Sequence, residues 1–142
     1  MAVLNGRHFV LDSWPVIESF YEREPSTSEL DRIFKDAVGG SVTLWMSRIN
    51  YGEIIYSCRK RMPAPTANRL FAQFEALPIE IVSATDVFVD QATALKSIYS
   101  ASFADCFAAA LAIERNAKLL TGDKEFLPLQ SAGLLQLHWL GA

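Results

Sequence analysis

Short apolar runs alternate with longer segments of helical periodicity along this chain, and that alternation most constrains what it can fold into. The short runs, which are typical of buried strands, lie at 7–11, 41–46, 79–82, 118–121 and 135–139. Apolar residues recur at helical spacing between them, at 13–24, 26–38, 47–61, 66–76, 85–100 and 103–116. Strands that alternate with helices predict an α/β fold, a mainly parallel sheet with helices on both faces.

Local signals mark several of the helix ends. The run Ser-Thr-Ser-Glu at 26–29 matches a capping box, which predicts the start of the second helix. Gly39-Gly40 predicts its end. Pro63 and Pro65 are expected to break the third helix before the fourth begins.

Length and composition indicate a compact protein. The 142 residues predict one domain, residues 1–142, with a substantial core. Hydrophobic residues make up 51% of the chain and charged residues 20%, which excludes a disordered protein. No apolar run has the length of a membrane span, and no secretory signal is expected at the N-terminus. Cys58 and Cys106 are too few for a disulfide framework and are expected to be buried, so the cytoplasm is the predicted location.

The net charge of −3 does not point to a nucleic-acid-binding protein. It does not exclude one either, because a metal-dependent nuclease can be acidic when the cation itself meets the phosphate. Charge alone therefore leaves the class of function open.

Four acidic residues occupy positions from which they could converge. Asp12 and Asp123 follow predicted strands, and Glu53 and Asp105 lie near the starts of predicted helices. Ligands bind beyond the carboxyl ends of the strands in an open α/β sheet, so these side chains are expected to share one cleft. Hard divalent cations select oxygen ligands, and the pattern therefore indicates a Mg²⁺ or Mn²⁺ site.

Each acid also has a structural interpretation. Glu53 lies three residues after Asn50, and Asp105 three residues after Ser102, which is capping-box spacing. The helix after Asp105 is apolar all round, however, so its carboxylate is expected to face a partly buried cleft. Two carboxylates about 5 Å apart repel by roughly 3 kcal/mol, and four would destabilise the fold unless a cation offset the repulsion.

The order of these motifs resembles the PIN-domain family, and more narrowly the VapC toxins of bacterial toxin–antitoxin pairs. The resemblance extends over essentially the whole chain, through the segments at 10–13, 50–54, 103–106 and 119–126. It implies a PIN-like three-layer sandwich and a Mg²⁺- or Mn²⁺-dependent endoribonuclease. It also implies a cognate antitoxin as partner and a homodimer.

Residue by residue, Asp12, Glu53, Asp105 and Asp123 match the family's acidic quartet, as catalytic and metal-binding residues. Ser13 and Thr121 match its hydroxyl positions, and Asn50 matches the polar residue before the glutamate. We hypothesise that these three support the site by hydrogen bonds to the carboxylates or to water. Helix capping is the alternative role for Ser13 and Asn50. Trp14-Pro15 departs from the family pattern, because these residues are bulkier than the small ones expected there.

Substrate and partner contacts have weaker signals. Arg59, Lys60 and Arg61 form a basic cluster that could bind RNA phosphates, although a charged helix end is often only solvated. Aromatic residues of the first two helical segments could form a groove for an antitoxin helix, with core packing as the alternative: Trp14, Phe20, Tyr21 and Phe34.

The implied reaction is hydrolysis of an RNA phosphodiester by a metal-activated water, which leaves 5′-phosphate ends. Two other phosphate-handling classes do not fit the sequence. A receiver domain needs adjacent acids after the first strand, and a haloacid-dehalogenase-type phosphatase needs Asp-x-Asp there, whereas Asp12 is followed by Ser13 and Trp14. A PIN-fold module that binds RNA or protein without cutting it stays open.

Overall fold

Five parallel strands form the central sheet of the protein, seen in a computed structural model that describes residues 7–142. The strands are β1 (Arg7–Leu11), β2 (Val42–Ser47), β3 (Ile79–Val82), β4 (Lys118–Thr121) and β5 (Leu137–Trp139). Their order across the sheet is β3-β2-β1-β4-β5, so the first strand of the chain is the central one. Every pairing is parallel, which confirms the predicted sheet.

Helices cover both faces of this sheet. Their bounds are α1 Ser13–Phe20, α2 Ser26–Val38, α3 Arg48–Arg61, α4 Ala64–Glu75, α5 Asp86–Lys96, α6 Phe103–Arg115 and α7 Leu127–Ser131. A short 3-10 helix, Lys124–Phe126, precedes α7. The predicted three-layer α/β arrangement is therefore confirmed.

Alternate residues of the central strands point to opposite cores. Phe9 and Leu11 pack with the apolar faces of α1 to α4, whereas Val10 packs with α5, α6 and α7. In β4, Leu120 belongs to the first of these cores and Leu119 to the second. This period of two is what a strand buried on both faces requires. Cys58 and Cys106 are buried free thiols, one in each core, as expected.

The parallel arrangement brings all five carboxyl strand ends to one edge of the sheet. Two hydrogen bonds close that edge at the centre: the amide of Asp12 donates to the carbonyl of Leu120, and the amide of Leu140 donates to the carbonyl of Thr121. The loops that follow β1 and β4 consequently lie side by side, although more than a hundred residues separate them.

The second helix has the predicted bounds, but two details at helix starts differ from the prediction. Ser26 does not cap α2: the helix is preceded by Pro25, and the Glu24 side chain accepts the amide of Ser28 at 2.7 Å instead. The third helix ends at Arg61, before Pro63, as predicted, but α4 begins at Ala64 and not at residue 66, because Pro65 is tolerated in the first turn of a helix. Gly39 does end α2, and Gly40 adopts a φ of +88°.

The remaining boundaries differ by a few residues. The first helix ends at Phe20, and α5 covers Asp86–Lys96, which is shorter than predicted at both ends. Among residues 7–142, none of the helices has the length and apolar character needed to cross a membrane. Residues 1–6 lie outside the described residues, and with them the expectation about a secretory signal. The assignment of 1–142 to one domain stays a prediction.

Candidate acidic active site

The four acids selected from the sequence line one cavity of about 230 Å³ at the carboxyl edge of the sheet. Asp12 directly follows β1, and Asp123 lies two residues beyond the neighbouring strand β4. Glu53 projects from the second turn of α3, and Asp105 from the first turn of α6. Four separate segments of the chain therefore contribute one carboxyl group each.

Asp12 is the most deeply buried of the four, with 1% of its surface exposed. Its Oδ2 accepts a hydrogen bond of 2.8 Å from the Thr121 hydroxyl, whereas its Oδ1 is buried and has no partner among residues 7–142. Burial raises the pKa of Asp12 to about 7, with smaller contributions from the negative charges of Glu53 and Asp123. An acceptor atom in this state is suited to a cation.

Asp105 both caps its helix and faces the cavity. It forms a capping box with Ser102, whose hydroxyl accepts the amide of Asp105 at 3.1 Å. The pKa of the Asp105 carboxyl is raised to about 8, mainly by burial and to a smaller extent by a hydrogen bond to Glu125 and the negative charge of Asp12. The structural and the functional interpretation of this residue are thus compatible.

Glu125 joins the site although the sequence analysis did not select it. Carboxylate oxygens of Asp105, Asp123 and Glu125 all lie within 4.8 Å of one another. Asp123 accepts the amide of Glu125 at 3.0 Å, and this turn brings the two acids together. The pKa of Glu125 is lowered by its hydrogen bonds with the Asp105 carboxyl and the Ser102 amide. The Asp-x-Glu spacing after a strand was the signal that could have identified it.

This donor set suits a hard divalent cation. The site offers carboxylate oxygens without nitrogen or sulfur ligands at its centre, and one buried oxygen of Asp12 has an unused lone pair direction. Burial, with the negative charges of neighbouring acids, raises the pKa of both Asp12 and Asp105, so a cation that favours their ionised forms would relieve this cost. The residues therefore fit Mg²⁺ or Mn²⁺.

The three candidate supporting residues differ in what they contact. Ser13 donates a hydrogen bond to Glu53, and Thr121 donates one to Asp12. Asn50 contacts neither carboxylate: it accepts from the Ser47 hydroxyl at 2.6 Å and donates to the carbonyl of residue 104 at 3.1 Å. It ties the start of α3, and hence Glu53, to the start of α6.

Of the basic cluster at 59–61, Arg61 lines the cavity, while Arg59 and Lys60 are not among the lining residues. A second guanidinium was not anticipated: Arg23, in the loop after α1, also lines the cavity and pairs with Glu18 at 2.8 Å. No sequence pattern marks Arg23, because its position depends on how the loop folds back over α1.

Trp14 forms an aromatic part of the cavity wall. Its ring lies so close to Gly122 that a Cβ on the glycine would be 2.4 Å from ring carbons Cζ3 and Cη2. His8 and His138 are not among the cavity-lining residues: His8 stacks on Trp45, and His138 bonds Glu29 at 2.8 Å.

A second, larger cavity of about 610 Å³ lies between α1, α2 and α4. Phe20 and Phe34 line it, as the groove hypothesis requires, together with Val38 and Leu70. Tyr21 is not among its lining residues and lies under the guanidinium of Arg23, 4.7 Å from the ring centre.

Together these features define an α/β protein with an acidic site of the cation-binding type at the carboxyl edge of a parallel sheet. The PIN domain family model matches residues 9–129, and the chain belongs to that family. Comparison of the sequence with curated proteins finds no significant match.

Several solved structures share the fold. VapBC2 from Rickettsia felis, bound to a promoter DNA fragment, has a TM-score of 0.70 at 18% identity, with 92% of this chain and 97% of that chain covered. VapC20 from Mycobacterium tuberculosis, described as a sarcin-ricin loop cleaving toxin, has a TM-score of 0.67 at 14% identity over 91% and 98%. VapBC-1 from nontypeable Haemophilus influenzae has a TM-score of 0.66 at 20% identity over 94% and 98%.

Proposed function

We propose that this protein is a Mg²⁺- or Mn²⁺-dependent endoribonuclease and the toxin of a toxin–antitoxin pair. The observation that carries the proposal is the buried Oδ1 of Asp12, which has no hydrogen-bond partner among residues 7–142 and lies with Asp105 and Asp123 in one cavity. The fold of toxin–antitoxin proteins, including one described as a sarcin-ricin loop cleaving toxin, supports it.

In this proposal Asp12, Glu53, Asp105 and Asp123 hold the cation, with Glu125 as an additional acid. When bound, the cation supplies a nucleophilic water at neutral pH and offsets the charge of the phosphate. The protein's own hydrogen bonds fix the ligand oxygens before binding: Thr121 orients Asp12, and Ser13 orients Glu53.

The reaction is hydrolysis of one phosphodiester of RNA. Water attacks phosphorus in line with the departing 3′ oxygen, so the products carry a 5′-phosphate and a 3′-hydroxyl. Arg61 and Arg23 lie at the cavity, where they can bind the nonbridging oxygens. The proposal takes water and not the 2′-hydroxyl as nucleophile, and neither His8 nor His138 lines the cavity to provide a histidine pair for the other route.

Incubation with total RNA tests the proposal. The parent protein is assayed with Mg²⁺, with Mn²⁺ and with EDTA, beside Asp105→Asn and Asp90→Asn. Asp90 is exposed on α5, so its variant removes the same charge away from the site. We expect discrete fragments with 5′-phosphate ends from the parent and Asp90→Asn, and their loss with EDTA or in Asp105→Asn.

Absence of cleavage in either metal, from folded protein free of antitoxin, would refute the nuclease. The PIN-fold binding module would then be the better description, and electrophoretic mobility of RNA with the protein would test it. Cleavage that persists in Asp105→Asn would refute the assignment of the site.

The antitoxin is proposed to place an amphipathic helix in the groove between α1, α2 and α4, where Phe20, Phe34 and Val38 form an apolar lining. Val38→Asp puts a charge in this groove, and Val87→Asp changes an equally exposed valine on α5; they are 69% and 67% exposed. We expect Val38→Asp, and not Val87→Asp, to lose binding to the proposed cognate antitoxin. Equal binding by both variants would contradict this placement.

We further propose a homodimer in the cytoplasm. Ile98 and Phe103, which are 75% and 44% exposed, give the α5–α6 side apolar surface that a second copy could bury. Buried free cysteines fit a reducing compartment. Light scattering of the purified protein tests the dimer, and a monomer at micromolar concentration would contradict it.

A further inference from the structure

We propose that Trp14 is a stacking platform for a base of single-stranded RNA, placed beside the phosphate that the acidic site attacks. This inference rests on the proposed function, since it concerns how the same cavity holds its substrate. Trp14 lies two residues after Asp12 in the first turn of α1, and both side chains line the cavity.

The indole is held in place from two sides. Pro15 follows it and restricts the backbone at the start of α1. The ring edge occupies the space that a Cβ at position 122 would need, and the amide nitrogen of Gly141 lies 2.9 Å from the same point. Any side chain at 122 would therefore displace the ring or the backbone. A large, fixed aromatic surface binds with little loss of side-chain conformational entropy.

The cavity offers a base one flat aromatic surface. Among the described lining residues Trp14 is the sole aromatic one and Ile17 the other large apolar one, and the rest are mainly carboxylates and the two arginines. Carboxylates repel the RNA backbone, the arginines serve phosphates and an aliphatic side chain has no ring to stack on, so a nucleobase beside the site would stack on Trp14. Bases stack on aromatic side chains when they are unpaired, which commits the substrate segment to a single-stranded loop or end.

Binding is measured apart from cleavage in an Asp105→Asn background. The probe is a fluorescently labelled single-stranded oligoadenylate of roughly ten nucleotides. We expect Trp14→Leu to weaken its binding by roughly 5- to 100-fold, since the stacking surface is lost. Trp14→Phe, which keeps an aromatic ring, should stay within about threefold of the Trp14 protein. Trp45→Leu, a half-buried tryptophan outside the cavity, is the matched control.

Equal binding by the Trp14 protein and Trp14→Leu would overturn the inference. If Trp14→Leu fails to fold, a protein with Trp45→Phe and Trp139→Phe leaves Trp14 as the single tryptophan. Its emission should then be quenched by the oligoadenylate, and unchanged emission at saturating probe would overturn the inference as well.

The two proposals fail separately. Cleavage of RNA with the same KM and kcat in Trp14→Leu as in the parent would refute the platform and leave the nuclease. Probe binding that depends on Trp14, without cleavage by the parent in Mg²⁺ or Mn²⁺, would refute the nuclease and leave the platform. In an active enzyme the platform predicts a raised KM with kcat retained, because stacking exists before the transition state.

Discussion

Burial, more than mutual repulsion, sets the protonation of the two innermost acids. It is the leading cause of the raised pKa at both Asp12 and Asp105, and the charges of neighbouring acids come after it. Their positions at a strand end and a helix start bury these carboxyl groups in the protein without any ligand. The metal-free protein therefore holds protons near neutral pH that an exposed aspartate would release.

The raised pKa of Asp105 predicts how its removal changes stability. Below about pH 4 the carboxyl group is protonated in both the folded and the unfolded chain. As the pH rises from about 4 to about 8, Asp105 ionises in the unfolded chain but stays protonated in the folded one. The free energy of unfolding of the parent therefore falls over this range. Asp105→Asn does not titrate. We expect it to exceed the parent in free energy of unfolding by on the order of 2 kcal/mol at pH 7 without metal.

Urea denaturation at several pH values in EDTA measures this difference. Asp90→Asn, exposed on α5, should follow the parent at every pH. A variant at 105 that is less stable than the parent at pH 7, or a difference that does not grow with pH, would contradict the crowded-carboxylate description.

Metal binding should be coupled to proton release. Asp12 and Asp105 hold protons at neutral pH without metal, and a carboxylate must give up its proton to act as a ligand. We expect the Mg²⁺ affinity to rise between about pH 6 and pH 8, with release of on the order of one proton per ion. Calorimetry in buffers of different ionisation enthalpy counts the protons. An equal number of protons released per ion at pH 6 and at pH 9 would contradict the prediction, because it would mean that Asp12 and Asp105 are already ionised in the metal-free protein.

At the scale of single residues the sequence predicted the acids better than their surroundings. Asp12 and Asp123 follow strands, and a strand end can be predicted from apolar runs. The sequence analysis did not identify Glu125 and Arg23 as site residues, because their approach to the site depends on a 3-10 turn and on a folded-back loop. Such conformations leave little trace in hydrophobic periodicity.

At the scale of elements, one buried side chain connects the starts of α3 and α6 by hydrogen bonds. Asn50 is fully buried, and its amide group bonds both the Ser47 hydroxyl and the carbonyl of Ala104. Glu53 and Asp105 are carried by these two helices. The hydrogen bonds of Asn50 therefore help to fix the distance between the Glu53 and Asp105 carboxyl groups across the cavity.

Asn50→Ala should loosen this junction. Removal of the side chain takes a hydrogen-bond partner from the Ala104 carbonyl and from the Ser47 hydroxyl. We therefore expect a loss of about 1–3 kcal/mol in the free energy of unfolding. Metal affinity should fall with it, because Glu53 and Asp105 lose their fixed spacing. Denaturation and calorimetry measure the two effects. Asn68→Ala, an exposed asparagine within α4, is the control; an equally small effect at both positions would argue against the junction.

Hydrophobic periodicity predicts the elements themselves but not how each helix start is capped. The strands and helices follow from apolar spacing, because each presents a buried face to one of the two cores. The helix α2 begins at Ser26, as predicted, but its capping group differs: the carboxylate of Glu24, and not the hydroxyl of Ser26, accepts the free amide of Ser28. Two acceptors within three residues compete for the same helix start, and local sequence does not decide between them.

At the scale of the whole molecule, the proposed cation would offset the cost of burying these acids. A ligand that binds the folded state alone adds RT ln(1 + [L]/Kd) to stability, which is about 2.7 kcal/mol at one hundred times Kd. We expect this gain from Mg²⁺ in the parent and in Asp90→Asn. The double variant Asp12→Asn/Asp105→Asn should gain far less. Thermal or urea unfolding with and without Mg²⁺ measures it, and equal gains in all three proteins would place the ion elsewhere.

The position of β1 at the centre of the sheet has a consequence for synthesis on the ribosome. Its neighbour on one side, β2, follows within the first third of the chain, but its neighbour on the other side, β4, begins at Lys118. Until β4 is made, Asp12 has neither Thr121 nor Asp123 beside it. Most of the chain must therefore be translated before the four carboxyl groups can come together in one cavity.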